Sequence, residues 1–233
     1  MKKSLKMALL AAAMGLAVPA VQASLINFDA LKGDIFQGGE LFNADPQFSF
    51  KVLGNGLAGA IATSSTCAVL DCPANNNTPY YLGLNDGGLS ISNQNGFKLS
   101  SFSSSFASPV SVGIPFTVAN LIVNGTGLGG ETFSDSFTLP GQNTNGKWSF
   151  SDFKYTASNR VFKEISFAAC LTTTAGECVL FGNNQAQFGL DNINVTAVPE
   201  PAEWLLMALG LASISMVIRR RNKAQNNSAG IAS

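Results

Sequence analysis

The sequence predicts an all-β protein, an antiparallel β-sandwich or jelly roll, held between an N-terminal signal peptide and a single C-terminal transmembrane helix. Three observations lead there. Apolar residues recur with a period of two in many short stretches. Turn-rich segments separate those stretches at sandwich-like spacing. No long stretch between the two ends of the chain has helical periodicity.

Taken in order, QFSFKVL puts Phe48, Phe50 and Val52 on one face. GFKLSSFSSSF, FTVANLIVNG, ETFSDSFTL, KWSFSDFKY, VFKEISFAA and QAQFGLDNINV alternate in the same way, with register changes in places. PANNNTP, LNDGG, NGTGLGG and PGQNTNG supply the turns between them. Residues 125–130, GTGLGG, satisfy GxGxxG, but a dinucleotide site needs a helix next, to offer its amides to the pyrophosphate. The next residues instead carry the strand pattern ETFSDSFTLP, so Gly125, Gly127, Gly129 and Gly130 are read as a hairpin connection.

The chain opens as an exported protein does. Lys2, Lys3 and Lys6 precede an apolar stretch from Met7 to Val18, and Val21-Gln22-Ala23 places small residues for signal peptidase, with cleavage between Ala23 and Ser24. From Ser24 to Val198 the chain has 175 residues, enough for one domain with its own core. Seven bases against twelve acids leave that span at −5, which offers no footprint for nucleic acid. Histidine is absent from the whole chain, which removes Ser-His-Asp and Cys-His catalysis and every histidine-based zinc site. The four cysteines form the close pairs Cys67/Cys72 and Cys170/Cys178. In an oxidising compartment they suggest two loop-closing disulfides. A four-thiolate zinc site is the other use of four cysteines, but CAVLDC and CLTTTAGEC lack the short CxxC knuckle.

At the far end, Trp204 to Ile218 is an uncharged apolar run of fifteen residues. As a helix it spans about 22 Å, against the ~30 Å of a bilayer's hydrocarbon. Arg219, Arg220 and Arg221 stop the run, and the positive-inside rule puts them in the cytoplasm and the domain outside. Val198-Pro199-Glu200-Pro201, the apolar run and the arginine cluster together resemble the PEP-CTERM sorting signal of Gram-negative bacteria that make exopolysaccharide. The resemblance implies recognition by an exosortase in the inner membrane, cleavage near Pro199-Glu200-Pro201, and release or transfer to the cell surface or matrix. It covers about 24 residues. Glu203 just before the apolar run and the polar extension from Asn222 to Ser233 depart from the pattern, and each would favour retention as a membrane anchor. The expected organisation is a signal peptide at 1–23, a sandwich domain at 24–197, a sorting signal at 198–221 and a polar cytoplasmic tail at 222–233.

The last strand, Phe-x-Leu-Asp-Asn-Ile-x-Val from Phe188 to Val195, is similar to the end of β-sandwich domains found upstream of this signal, and to the final strand of carbohydrate-binding jelly rolls. In the latter an aspartate of that strand helps to hold a structural calcium. The resemblance implies Asp191 as a first ligand, with Asp29 and then Asp34 from LINFDALKGDIF completing an oxygen set together with backbone carbonyls. An aspartate at this place also serves as a turn or edge-strand carboxylate that caps nearby amides.

Two functions are compatible with these features. One is a non-catalytic surface or matrix protein that binds glycan or other matrix components, including exopolysaccharide. Sugar stacking would draw on Trp148, Tyr80, Tyr81 or Tyr155, which packing can equally bury. The other is a polysaccharide hydrolase working through a carboxylate pair such as Glu131/Asp135, whose even spacing puts both on one strand face. A row of polar residues on a solvent face gives the same pattern.

Overall fold

The computed structural model describes residues 23–66, 70–107, 119–157, 159–172, 178–179, 186–198 and 207–220. Residues 1–22 of the expected signal peptide, Cys67, Pro199 to Pro201 and Arg221 lie outside the described residues.

Thirteen strands are described, in chain order: β1 Ala23–Ile26, β2 Ile35–Gln37, β3 Leu41–Phe42, β4 Ser49–Leu53, β5 Leu57–Ala62, β6 Tyr80–Gly83, β7 Gly88–Phe106, β8 Ala119–Gly127, β9 Thr132–Thr138, β10 Ser151–Lys154, β11 Phe162–Thr172, β12 Cys178–Val179 and β13 Phe188–Ala197. Every ladder between them is antiparallel, as the short turn-separated alternation predicts. The 19-residue β7 organises them because it serves two layers. Its first residues, Gly88 to Ser92, pair with β4 on one side and β11 on the other, and β11 continues to β8 and β9. Its later residues pair with β13 and β10, and β13 continues to β6, β5 and β2.

The layers meet through phenylalanines. Phe102 of the second layer stands edge-on to Phe137 and Phe167 of the first, with ring centroids 5.0 and 5.4 Å away, and stacks on Phe153. Such T-shaped contacts set the positive edge of one ring on the negative face of another. In β4 the alternation holds as read: Phe48 before it, Phe50 and Val52 are buried while Ser49 and Lys51 are exposed. β5 and β6 escaped the alternation because both of their faces are covered, and LAGAIA and YYLG are apolar nearly throughout.

Local chemistry fixes the turns. Asn85 and Asp86 both have positive φ, 51° and 60°, and the Gly87 amide donates to the Leu84 carbonyl, a tight turn that carries the chain from β6 to β7 on the other side of β13. The GTGLGG stretch is a hairpin: Gly127 donates to the Glu131 carbonyl, and Gly130 turns the chain at φ 87° into β9. Cys170 of β11 and Cys178 of β12 form the expected disulfide, with Cα atoms 5.4 Å apart. Cys72 is also disulfide-bonded, and Cys67, its expected partner, is among the residues not described.

The strands form a compact unit from Ala23 to Val198. Residues 207–220, labelled α1, are helical and belong to a second unit, and Arg219 and Arg220 are exposed. Among the described residues no helix is long and apolar enough to cross a membrane.

Candidate functional site

Asp191 is completely buried in β13, directly opposite Ser103 of β7. Segment 70–79 makes it so. Asn76 reaches down and donates its Nδ2 to Asp191 Oδ2 at 2.7 Å, across 115 residues of chain. The Thr78 hydroxyl lies 2.8 Å from Asn76 Oδ1 and 3.2 Å from Asp191 Oδ2, so its single proton serves one of the two at a time. The Thr78 amide closes the Asx turn onto Asn76 Oδ1 at 2.9 Å. Asp191 Oδ1 is buried and makes no hydrogen bond. Burial pushes the Asp191 carboxyl above its ordinary pKa, the hydrogen bonds from Asn76, the Asn192 backbone and Thr78 oppose it, and the charge of Asp29 adds to the rise.

Asp29 and Asp34 are both exposed, and the Asp34 carbonyl accepts the Ile61 amide where β2 begins. Among the described residues no three acidic or cysteine side chains stand together as a metal group, so Asp29, Asp34 and Asp191 do not form one carboxylate cluster. The fit to calcium rests on Asp191 Oδ1, an unpartnered buried oxygen, and on Asp29 as the second charge within electrostatic reach. Of the six to eight oxygens calcium takes, the rest would have to be carbonyls and water.

The aromatic residues considered for sugar stacking are core. Trp148, Tyr80 and Tyr81 are wholly buried and Tyr155 nearly so. Tyr81 donates to the Gly88 carbonyl at 2.8 Å, and burial raises the phenols of Tyr80 and Tyr155 to about 12. Among the described residues no aromatic side chain is exposed.

Glu131 and Asp135 have separate structural duties. Asp135 lies on the inward parity of β9 and accepts both Arg160 Nη1 and the Tyr155 hydroxyl at 2.5 Å. Arg160 is also seated 4.7 Å above the Phe133 ring. This corrects the reading of Asp135 as one of a row of solvent-face polar residues. Glu131 folds back over its own turn, against Gly127 and Gly129.

A surface that the single-strand patterns did not reveal emerges from strand register. Antiparallel pairing aligns Lys51, Ser90, Ser166, Asn124 and Ser134 in one row across β4, β7, β11, β8 and β9. A second row holds Ser49, Ser92, Glu164, Thr126 and Thr132. Their neighbours along each strand, such as Phe50, Ile91, Ile165 and Val123, face the core. Each row crosses four inter-strand gaps, roughly 19 Å at the usual spacing. At the β11–β8–β9 end the two rows line a depression of about 480 Å³. Ser90 donates to Glu164 Oε1 at 2.5 Å and pins the carboxylate. The side chains of Asn124, Thr126, Thr132, Ser134 and Ser166 make no hydrogen bond among the described residues, so their donors and acceptors face solvent. On the other layer, among the described residues, Phe150 and segment 70–79 pack over the strands through a second small core with Ala62, Tyr80, Leu82 and Ala107.

No protein-family profile and no curated protein matches this chain. Similar solved structures include the CBM22-1 xylan-binding domain of Paenibacillus barcinonensis Xyn10C, at 15% identity and TM-score 0.37, over 78% of this chain and 98% of that one. TmCBM61, solved with β-1,4-galactotriose, is similar at 10% identity and TM-score 0.36, over 64% of this chain and 88% of that one. The family 32 module of C. perfringens NanJ, solved with galactose, is similar at 11% identity and TM-score 0.34, over 75% and 99%.

Proposed function

We propose that this is an exported, non-catalytic surface or matrix protein whose β-sandwich binds glycan across the outer face of β4, β7, β11, β8 and β9. The observation that carries the reading is the pair of register-aligned polar rows, whose solvent-facing hydroxyls and amide have no internal partners. A saccharide presents a high density of hydroxyls that donate and accept at once. An ordered array of Ser, Thr and Asn side chains with one fixed carboxylate is complementary to it. Retention on immobilised polysaccharide without release of reducing ends is the test. Turnover would support a hydrolase, and absence of retention on any glycan would remove the reading.

The address of the protein belongs to the same proposal. Signal peptidase acting between Ala23 and Ser24, and an exosortase acting near Pro199-Glu200-Pro201, would deliver the domain through the inner membrane of a Gram-negative cell to its surface or exopolysaccharide matrix. Cell fractionation in a host with and without its exosortase tests this, since an unchanged distribution and mass would contradict sorting. A structural calcium at Asp191 is retained in the proposal on the strength of its unpartnered Oδ1. Asp191 and Asp29 would hold the ion, which would neutralise the carboxylate charge and tie β13 to the segment after β1.

A further inference from the structure

We infer that the ligand of this face is a neutral, linear polysaccharide laid across the strands, bound by hydrogen bonds without aromatic stacking; this rests on the glycan reading above. Three observations set its chemistry.

The first is direction. The polar groups repeat from strand to strand, Ser166 to Asn124 to Ser134 and Glu164 to Thr126 to Thr132. The inter-strand step of about 4.8 Å is close to the length of one pyranose unit in an extended chain. Along a strand the like-facing positions lie roughly 6.8 Å apart, a poorer match. A chain lying across β11, β8 and β9 therefore meets a fresh pair of side chains at each sugar.

The second is charge. The depression holds one ionisable side chain, Glu164, and no lysine or arginine. Lys51 is at the far end of its row, three strands from Asn124, beyond β11 and β7. The Ser90 bond fixes the Glu164 carboxylate at the surface, where a uronate or sulfate would meet like charge. The span from Ser24 to Val198 carries −5 overall, which repels polyanions at longer range as well. A carboxylate is at the same time a strong acceptor for a sugar diol.

The third is the absence of exposed aromatic rings among the described residues. Phe133, the aromatic ring that lines the depression, is half-buried with Arg160 seated on its face, so affinity would be spread over many weak bonds, and single substitutions would each weaken binding modestly.

Affinity gel electrophoresis of the full-length protein in mild detergent separates the outcomes. Mixed-linkage β-glucan, xylan and galactan serve as neutral probes and alginate as the acidic one. We expect retardation by at least one neutral probe and none by alginate. The double substitution Asn124→Ala with Ser134→Ala should weaken retardation about tenfold. Glu164→Lys should lower neutral binding and bring in alginate. Thermal melting of each variant, unchanged within a few degrees, shows that the fold is kept. Neutral retardation unaffected by all three substitutions would overturn the assignment to this face while leaving glycan binding intact. Preference for alginate by the unaltered protein would overturn the charge class. No retardation by any probe would remove the glycan reading and this inference with it.

Discussion

Truncating Asn76 to alanine would leave the Asp191 carboxylate with the shared Thr78 proton, the Asn192 backbone and a long contact from Asn192 Nδ2 at 3.4 Å. A buried carboxylate deprived of its main donor is costly, and we expect Asn76→Ala to lower stability by about 2–3 kcal/mol in urea titration. The pH dependence of Asp191 has a definite sign. Its folded pKa lies above the ordinary value, so the folded state keeps the proton longer than the unfolded chain. Without bound metal, its contribution to stability falls as pH rises from the unfolded value, about 3.9, through the raised folded one. Asp191→Asn carries no such proton and should show a flatter fall over that window in chelator-treated protein. A steeper fall in the variant would contradict the burial argument. Asp191 was legible in the sequence from the pattern of the last strand. Its partners Asn76 and Thr78 were not, because they stand 115 and 113 residues earlier in a segment that reads only as a turn.

Among the elements, β9 shows how an edge is managed. Among the described residues it pairs with β8 alone and would expose a row of free backbone groups to any passing strand. Asp135, on its inward parity, is held by Arg160 and Tyr155, and an inward charge discourages a second strand from docking there. Asp135→Val should therefore increase self-association at high protein concentration, visible in light scattering, even where the monomer still folds. The disulfide joining β11 to β12 closes a short loop, and reducing it should cost about 2–3 kcal/mol in the chain-entropy account. Alternation disclosed β4, β9, β11 and β13 because one face of each is markedly more polar than the other. It could not disclose β5 and β6, which are apolar on both sides. The polar rows escaped for a different reason. Each strand contributes only two residues to them, and the rows exist only once register has set Asn124 beside Ser134 and Ser166.

For the molecule as a whole, the two layers hold together through β7 and the ring cluster around Phe102. Phe102→Ala should remove about 3–5 kcal/mol and shift the whole cooperative melt rather than one layer. If calcium binds at Asp191, chelation should lower the melting temperature and added calcium should restore it, and an unchanged midpoint would exclude that site. The first and last strands of the sandwich are partners, with Ala23 opposite Thr196 and Ile26 opposite Ile193. The two ends of the folded unit thus lie side by side at neighbouring positions of one ladder. A chain rejoined there by a short linker and reopened at the Gly129–Gly130 turn should fold to the same sandwich, a circular permutant made feasible by where the ladder begins and stops.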